Sequence, residues 1–141
     1  MNYEHLIFIR ENLDLSQREL ANKLKVSKST YARWETAEKI IPLIHLINLC
    51  NLSNTSLDYI LGLSDRKDKF NKPIKLNKIK IGNNLKKIRT SNNLTQKQFA
   101  DSINTTQSVI SSYESGNTLI QTSFLYDICL KYDVSANDII K

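Results

Sequence analysis

Between Thr95 and Gly116 the chain reads TQKQFADSINTTQSVISSYESG, with Gln107, Ser108, Ser111 and Ser112 making up a polar but uncharged set. Without a partner base, such side chains are poor general acids and poor nucleophiles. They do donate and accept hydrogen bonds together, which is the chemistry that reads base edges. Elsewhere, His5 and His45 have no Cys, His or carboxylate grouping at metal spacing, so no zinc site is expected. The sequence has no glycine-rich phosphate loop and no visible pairing of nucleophile with base. The expectation is a binding protein rather than an enzyme, with no cofactor and no small-molecule ligand evident.

These side chains need a scaffold, and the composition says which kind. In 141 residues there are only three glycines and two prolines, which favours helices over a turn-rich β architecture. Apolar runs fall short of the ~20 residues that span a bilayer. The start, MNYEHLIFIRENLD, holds three acidic residues and no small-residue cleavage site, so no secretory signal is read there. Two cysteines in a chain of this size suggest a reducing, cytoplasmic setting.

Charge is unevenly placed. Residues 66–80 account for the whole net +6: Arg66, Lys67, Lys69, Lys72, Lys75, Lys78 and Lys80 against Asp68 alone. Either a solvated linker or an arm that neutralises phosphates would have this composition.

The chain is also a repeat. LSQRELA at 15–21 matches LTQKQFA at 94–100, an offset of 79. That offset also aligns Leu6 with Leu85, Arg10 with Arg89, Glu35 with Glu114, Cys50 with Cys129 and Ile60 with Ile139, without an insertion. Internal duplication explains this; coincidence does not. The expected division is 1–65, a basic linker at 66–80, and 81–141.

Each copy reads as five short helices. The first helix of the second copy is IGNNLKKIRTSN, with Ile81, Leu85 and Ile88 at helical spacing. Ser16 with Glu19, and Thr95 with Gln98, have the spacing of capping boxes that open the second helix. Short links, LKVS and INTT, lead to third helices at 28–35 and 107–114. Asn104 suits a left-handed turn residue, whereas Lys25 at the matching place is tolerated at some cost. Apolar fourth helices follow at 43–52 and 123–132, and Ser56 and Ser135 are expected to cap a last turn or two.

Two short helices joined by a three- to four-residue turn outline a helix-turn-helix. SQRELANKLKVSKSTYARWE and TQKQFADSINTTQSVISSYESG go further and resemble the lambda-repressor/Cro type, the Xre family of bacterial and phage regulators. The shared pattern is a Gln at the start of the second helix, an Ala four residues on, and an aromatic-Glu pair closing the third. A hydrophobic fourth helix completes it. SLDYILGLSD at 56–65 resembles the usual end of such domains. Ala37 departs from the family's glycine, which Gly116 keeps, and Gln121 replaces the proline seen at Pro42.

The resemblance implies an all-α chain of two tandem five-helix lambda-repressor-like DNA-binding domains. The third helix of each would enter the major groove and offer its N-terminal residues to base edges. By motif, the readers are Lys28, Ser29 and Arg33, with Ala32 beside them, and Gln107, Ser108, Ser111 and Ser112 in the second copy. Gln17 and Gln96 would meet a phosphate at the start of the second helix and brace the third; a plain helix-start role is the alternative. Arg10 with Glu35, and Arg89 with Glu114, resemble the family's partly buried ion pair. Trp34, Tyr113, Cys50 and Cys129 are read as core. The implied function is a sequence-specific regulator, a repressor by analogy, whose partner is a double-stranded DNA operator. A homodimer stays open. The rival is an antitoxin or anti-repressor in which one copy binds DNA and the other docks a partner protein.

Overall fold

The computed structural model describes residues 4–68 and 72–141, so Lys69 of the basic segment lies outside the described residues. The described chain is all-helical, in two compact units, Met1–Ile74 and Lys75–Lys141. The first unit contains α1 (Glu4–Asn12), α2 (Gln17–Lys23), α3 (Lys28–Glu35), α4 (Leu43–Ser53) and α5 (Leu57–Ile60). The second contains α6 (Lys78–Ser91), α7 (Gln96–Ser102), α8 (Gln107–Glu114), α9 (Thr122–Tyr132) and α10 (Ala136–Ile140). None of these helices is long and apolar enough to cross a membrane.

Local chemistry sets the helix starts. Ser16 and Thr95 each accept a bond from the amide three residues on, and the side-chain oxygens of Glu19 and Gln98 in turn accept one from the cap amide. Ser27 and Thr106 cap α3 and α8 in the same hydroxyl-to-amide way. Ser56 caps α5 as expected, but the cap expected of Ser135 is not made: it stands at the N-cap of α10 without a side-chain capping bond.

Four left-handed non-glycine residues of the first unit recur 79 positions later. Asp14, Lys25, Ala37 and Asn54 have φ of 55°, 60°, 61° and 51°. Asn93, Asn104 and Asp133 lie at 56°, 57° and 51°, and Gly116 at 77°. After α2 and α7 this residue ends the helix by turning the chain. The amides of Val26 and Thr105 then reach back to Ala21 and Ala100 at 3.0 Å, the six-to-one bond of a Schellman motif. The turn thus satisfies the last carbonyls of one helix and aims the next.

Ala37 adopts this conformation with a Cβ that Gly116 lacks, which costs ~1–2 kcal/mol. Glycine's greater freedom in the unfolded chain gives part of that back. Ala37→Gly is therefore expected to stabilise the first unit by about 1 kcal/mol, read as a melting temperature a few degrees higher. An unchanged or lower value would mean that the turn carries no strain at Ala37.

Both cores draw on every helix of their unit. Leu6, Ile9, Leu20, Tyr31, Trp34, Leu46 and Ile60 are buried in the first, and Leu85, Phe99, Ile110, Tyr113, Leu125 and Ile139 in the second. Cys50 and Cys129 lie in these cores as expected, and burial pushes the Cys50 thiol up to about 12.

The largest departure from the expected boundaries is at the start of α6. α6 begins at Lys78, inside the basic segment, three residues before Ile81. Asn77 causes this: its Oδ1 accepts from the amides of Ile79 and Lys80 at 3.0 and 3.1 Å. Further along α6, Gly82 lies against α8, where an added Cβ would stand 2.3 Å from the Tyr113 carbonyl oxygen.

Candidate nucleic-acid interface

In each unit the third helix is held from below by one carboxylate. Glu35 ends α3 and receives Arg10 from α1 through Nε at 2.5 Å and Nη2 at 3.4 Å. Gln17 Nε2 donates to it at 2.8 Å, and so does the Tyr31 hydroxyl at 2.8 Å. Glu114 receives Arg89 twice at 2.8 Å and Gln96 at 3.5 Å. The other guanidinium nitrogen donates to the loop after the first helix, to Leu15 O at 3.0 Å and Leu94 O at 2.9 Å. One side chain thus ties the first helix, the loop after it and the third helix together.

These groups are well out of water: the glutamate side chains are 5% and 4% exposed, the arginines 15% and 13%. Burial pushes the Glu35 carboxyl up, but the bonds from Arg10, Gln17 and Tyr31 outweigh it and hold it below its usual range. Hydrogen bonds that they donate to the glutamates raise both arginines. Burial pushes the Tyr31 phenol well above its ordinary value, with the bond to Glu35 adding to it.

Gln17 and Gln96 therefore brace the third helix from the start of the second. Each is half-buried, and its carboxamide is directed at the glutamate.

With its inner side fixed, each third helix turns the remaining residues outward. Lys28, Ser29 and Arg33 are exposed on α3, while Tyr31 and Trp34 face the core. On α8, Gln107, Ser108 and Ser111 are exposed, while Ile110 and Tyr113 are buried. Helical spacing of three and four puts Ser108, Ser111 and Ser112 on one face. Ser112 is half-buried, and its hydroxyl pairs with that of Thr118 at 2.9 Å. Arg33 is joined to Glu38 by a long, exposed ion pair of 3.8 Å, too weak to hold it away from another anion.

Two participants were not foreseen from sequence. Thr118 follows α8 and engages Ser112, and no spacing rule links them. Tyr31 adds a third donor to Glu35, where the second copy has Ile110. Among the described residues, no three His, Cys, Asp or Glu side chains gather as a metal site would require.

Comparison with known proteins agrees with this geometry. Residues 6–60 match the family described as "Helix-turn-helix", and residues 82–141 match the family described as "Helix-turn-helix domain". Antitoxin PezA of Streptococcus pneumoniae serotype 4 (strain ATCC BAA-334 / TIGR4) is 37% identical over 60 residues, 43% of this chain. The matched stretch covers 38% of that protein, well under half its length. No solved structure matches the chain. With both matched spans and the same braced third helix in each unit, the chain belongs to the helix-turn-helix DNA-binding regulators of lambda-repressor/Cro (Xre) type, carrying the domain twice in tandem.

Proposed function

We propose that the chain is a sequence-specific repressor that covers a double-stranded operator, placing α3 and α8 in the major groove of two dissimilar half-sites. The observation that carries this is the pair of third helices, each braced by a buried glutamate, with Lys28, Ser29 and Arg33 exposed on one and Gln107, Ser108 and Ser111 on the other. Arg and Lys suit guanine O6 and N7, and Gln suits adenine, at ~1–3 kcal/mol of discrimination for each good pair. The two helices therefore prefer different bases.

They also differ in charge. Residues 17–40 carry six Lys/Arg and three acidic residues, whereas 96–119 carry one and two. The first domain then supplies more of the phosphate attraction, and the second depends more on its hydrogen bonds. Basic side chains of residues 66–80 add to that attraction. The protein is expected in the cytoplasm, where its operator is, and acts without cofactor or catalysis.

Selection from a random duplex pool, followed by footprinting, tests the reading. Affinity for the selected site should fall by orders of magnitude between ~50 and ~200 mM salt. Arg33→Ala should relax selectivity in one half-site only, and Gln107→Ala in the other. Equal affinity for selected and scrambled duplexes would overturn the proposal.

The likeness to an antitoxin favours a second reading, in which only one domain meets DNA and the other docks a partner protein. The near-neutral α7–α8 segment makes the second domain the candidate for docking. In that case Gln107→Ala would leave the whole footprint untouched while Arg33→Ala altered it.

A further inference from the structure

The basic segment does not leave the first domain freely. Its described parts lie along α1, α4 and α5. Lys67 Nζ sits 4.0 Å from the centre of the Phe8 ring and 5.6 Å from that of Tyr59. Ser56 Oγ donates to the Arg66 carbonyl at 3.5 Å. Further on, the Asn51 carboxamide takes both backbone groups of Ile74: Oδ1 accepts from its amide at 2.7 Å and Nδ2 donates to its carbonyl at 2.9 Å. Pro73 fixes its own φ and biases Lys72 toward an extended backbone. A residue outside helix and sheet leaves its N–H and C=O both in need of partners, and here one asparagine supplies both.

The second domain has no such seat. At the offset of 79, Phe8, Asn51 and Tyr59 become Lys87, Leu130 and Asp138. There Lys87 and Asp138 line an open groove with Asn84 and Ile88, and Leu130 is exposed. The two copies have diverged at the residues that hold the strap.

We propose that Asn51 is a clip that pins the connecting segment at Ile74 and so sets how far apart the two reading helices can engage DNA. Only Lys75 and Leu76 separate Ile74 from Asn77, the cap of α6, a reach of ~10 Å. With Ile74 released, the next hold among the described residues is at Lys67, and the reach from there to Asn77 grows to ~35 Å. A short connection gives a high effective concentration over a narrow range of separations, and a long one a lower concentration over a wide range. Spacing selectivity is thus built into Asn51, and this consequence rests on both domains reading DNA.

Asn51→Leu tests it, because it installs the second copy's residue at an exposed helical position and leaves the core intact. Two readouts need no DNA: hydrogen exchange at the Ile74 amide, and trypsin cleavage after Lys75. Both should become several-fold faster in the variant at an unchanged melting temperature. If both rates stay at the wild-type level, Asn51 holds nothing and the proposal fails. The third readout compares duplexes carrying the selected half-sites at their native separation and one helical turn further apart. Wild type should lose affinity on the longer duplex, and Asn51→Leu should lose roughly tenfold less. Equal losses would overturn the spacing role even where the strap is freed. A wild type that binds no duplex specifically would instead sink the operator reading and the spacing role with it, leaving exchange and proteolysis to judge the clip alone.

Discussion

Replacing Glu35 with alanine is expected to lower the stability of the first domain by about 3–5 kcal/mol, the cost of removing one partner from a buried ion pair. The carboxylate gathers three donors from three places, Arg10, Gln17 and the Tyr31 hydroxyl. Without it, the Arg10 charge stays 15% exposed and uncompensated, and the amide and phenol lose their acceptor. Trp34 is the chain's single tryptophan and is buried in this domain, so its fluorescence reports the loss selectively. Glu114→Ala should cost less, because Gln96 is already at 3.5 Å and Ile110 stands where the first copy has Tyr31. If Glu114→Ala proved the more damaging of the two, the Tyr31 bond would not contribute. Should Glu35→Ala instead melt like wild type and select a different operator, the pair would belong to recognition and not to the scaffold.

The same carboxylate gives a pH dependence of definite sign. Its pKa is held down in the folded state, so the unfolded chain takes up the proton more readily. The stability it contributes is present above the ordinary carboxylate pKa and is lost as pH falls through the lower, folded value. Acid titration of Trp34 fluorescence should show this loss in wild type and a flatter profile in Glu35→Ala.

Gly82→Ala is expected to destabilise the second domain by about 2–3 kcal/mol, as overpacking does in a closely fitted interior. An added Cβ would lie 2.3 Å from the Tyr113 carbonyl oxygen and 2.8 Å from that of Glu114. Both are backbone atoms at the end of α8, so no side chain can swing aside. Alanine's better helix propensity returns less than ~1 kcal/mol. Circular dichroism should show part of the helix melting at lower temperature while Trp34 fluorescence keeps its wild-type transition. A variant as stable as the parent would mean that α6 can back away from α8 at little cost.

That glycine was legible in part. Gly82 sits inside a helix in a chain with only three glycines, where it costs ~0.5–1 kcal/mol against alanine, and such a cost needs a reason. The sequence could not say which backbone comes close. The start of α6 was hidden for a related reason: Asn77 caps it, but the lysines around Asn77 carry no apolar period to mark the helix.

What the sequence determined by itself is the part written in local rules. Capping boxes, apolar spacing and the 79-residue offset placed α3 at Lys28–Glu35 and α8 at Gln107–Glu114 within single residues. Each of those signals acts between neighbours a few positions apart, where backbone geometry leaves few choices. Only the tertiary structure decided which partners meet across tens of residues. It put Gly82 under the end of α8 and Ile74 in the grasp of Asn51. Such contacts have no period. They arise because packed helices bring distant backbone groups into low-exposure places, where every donor and acceptor must find whatever partner the fold supplies.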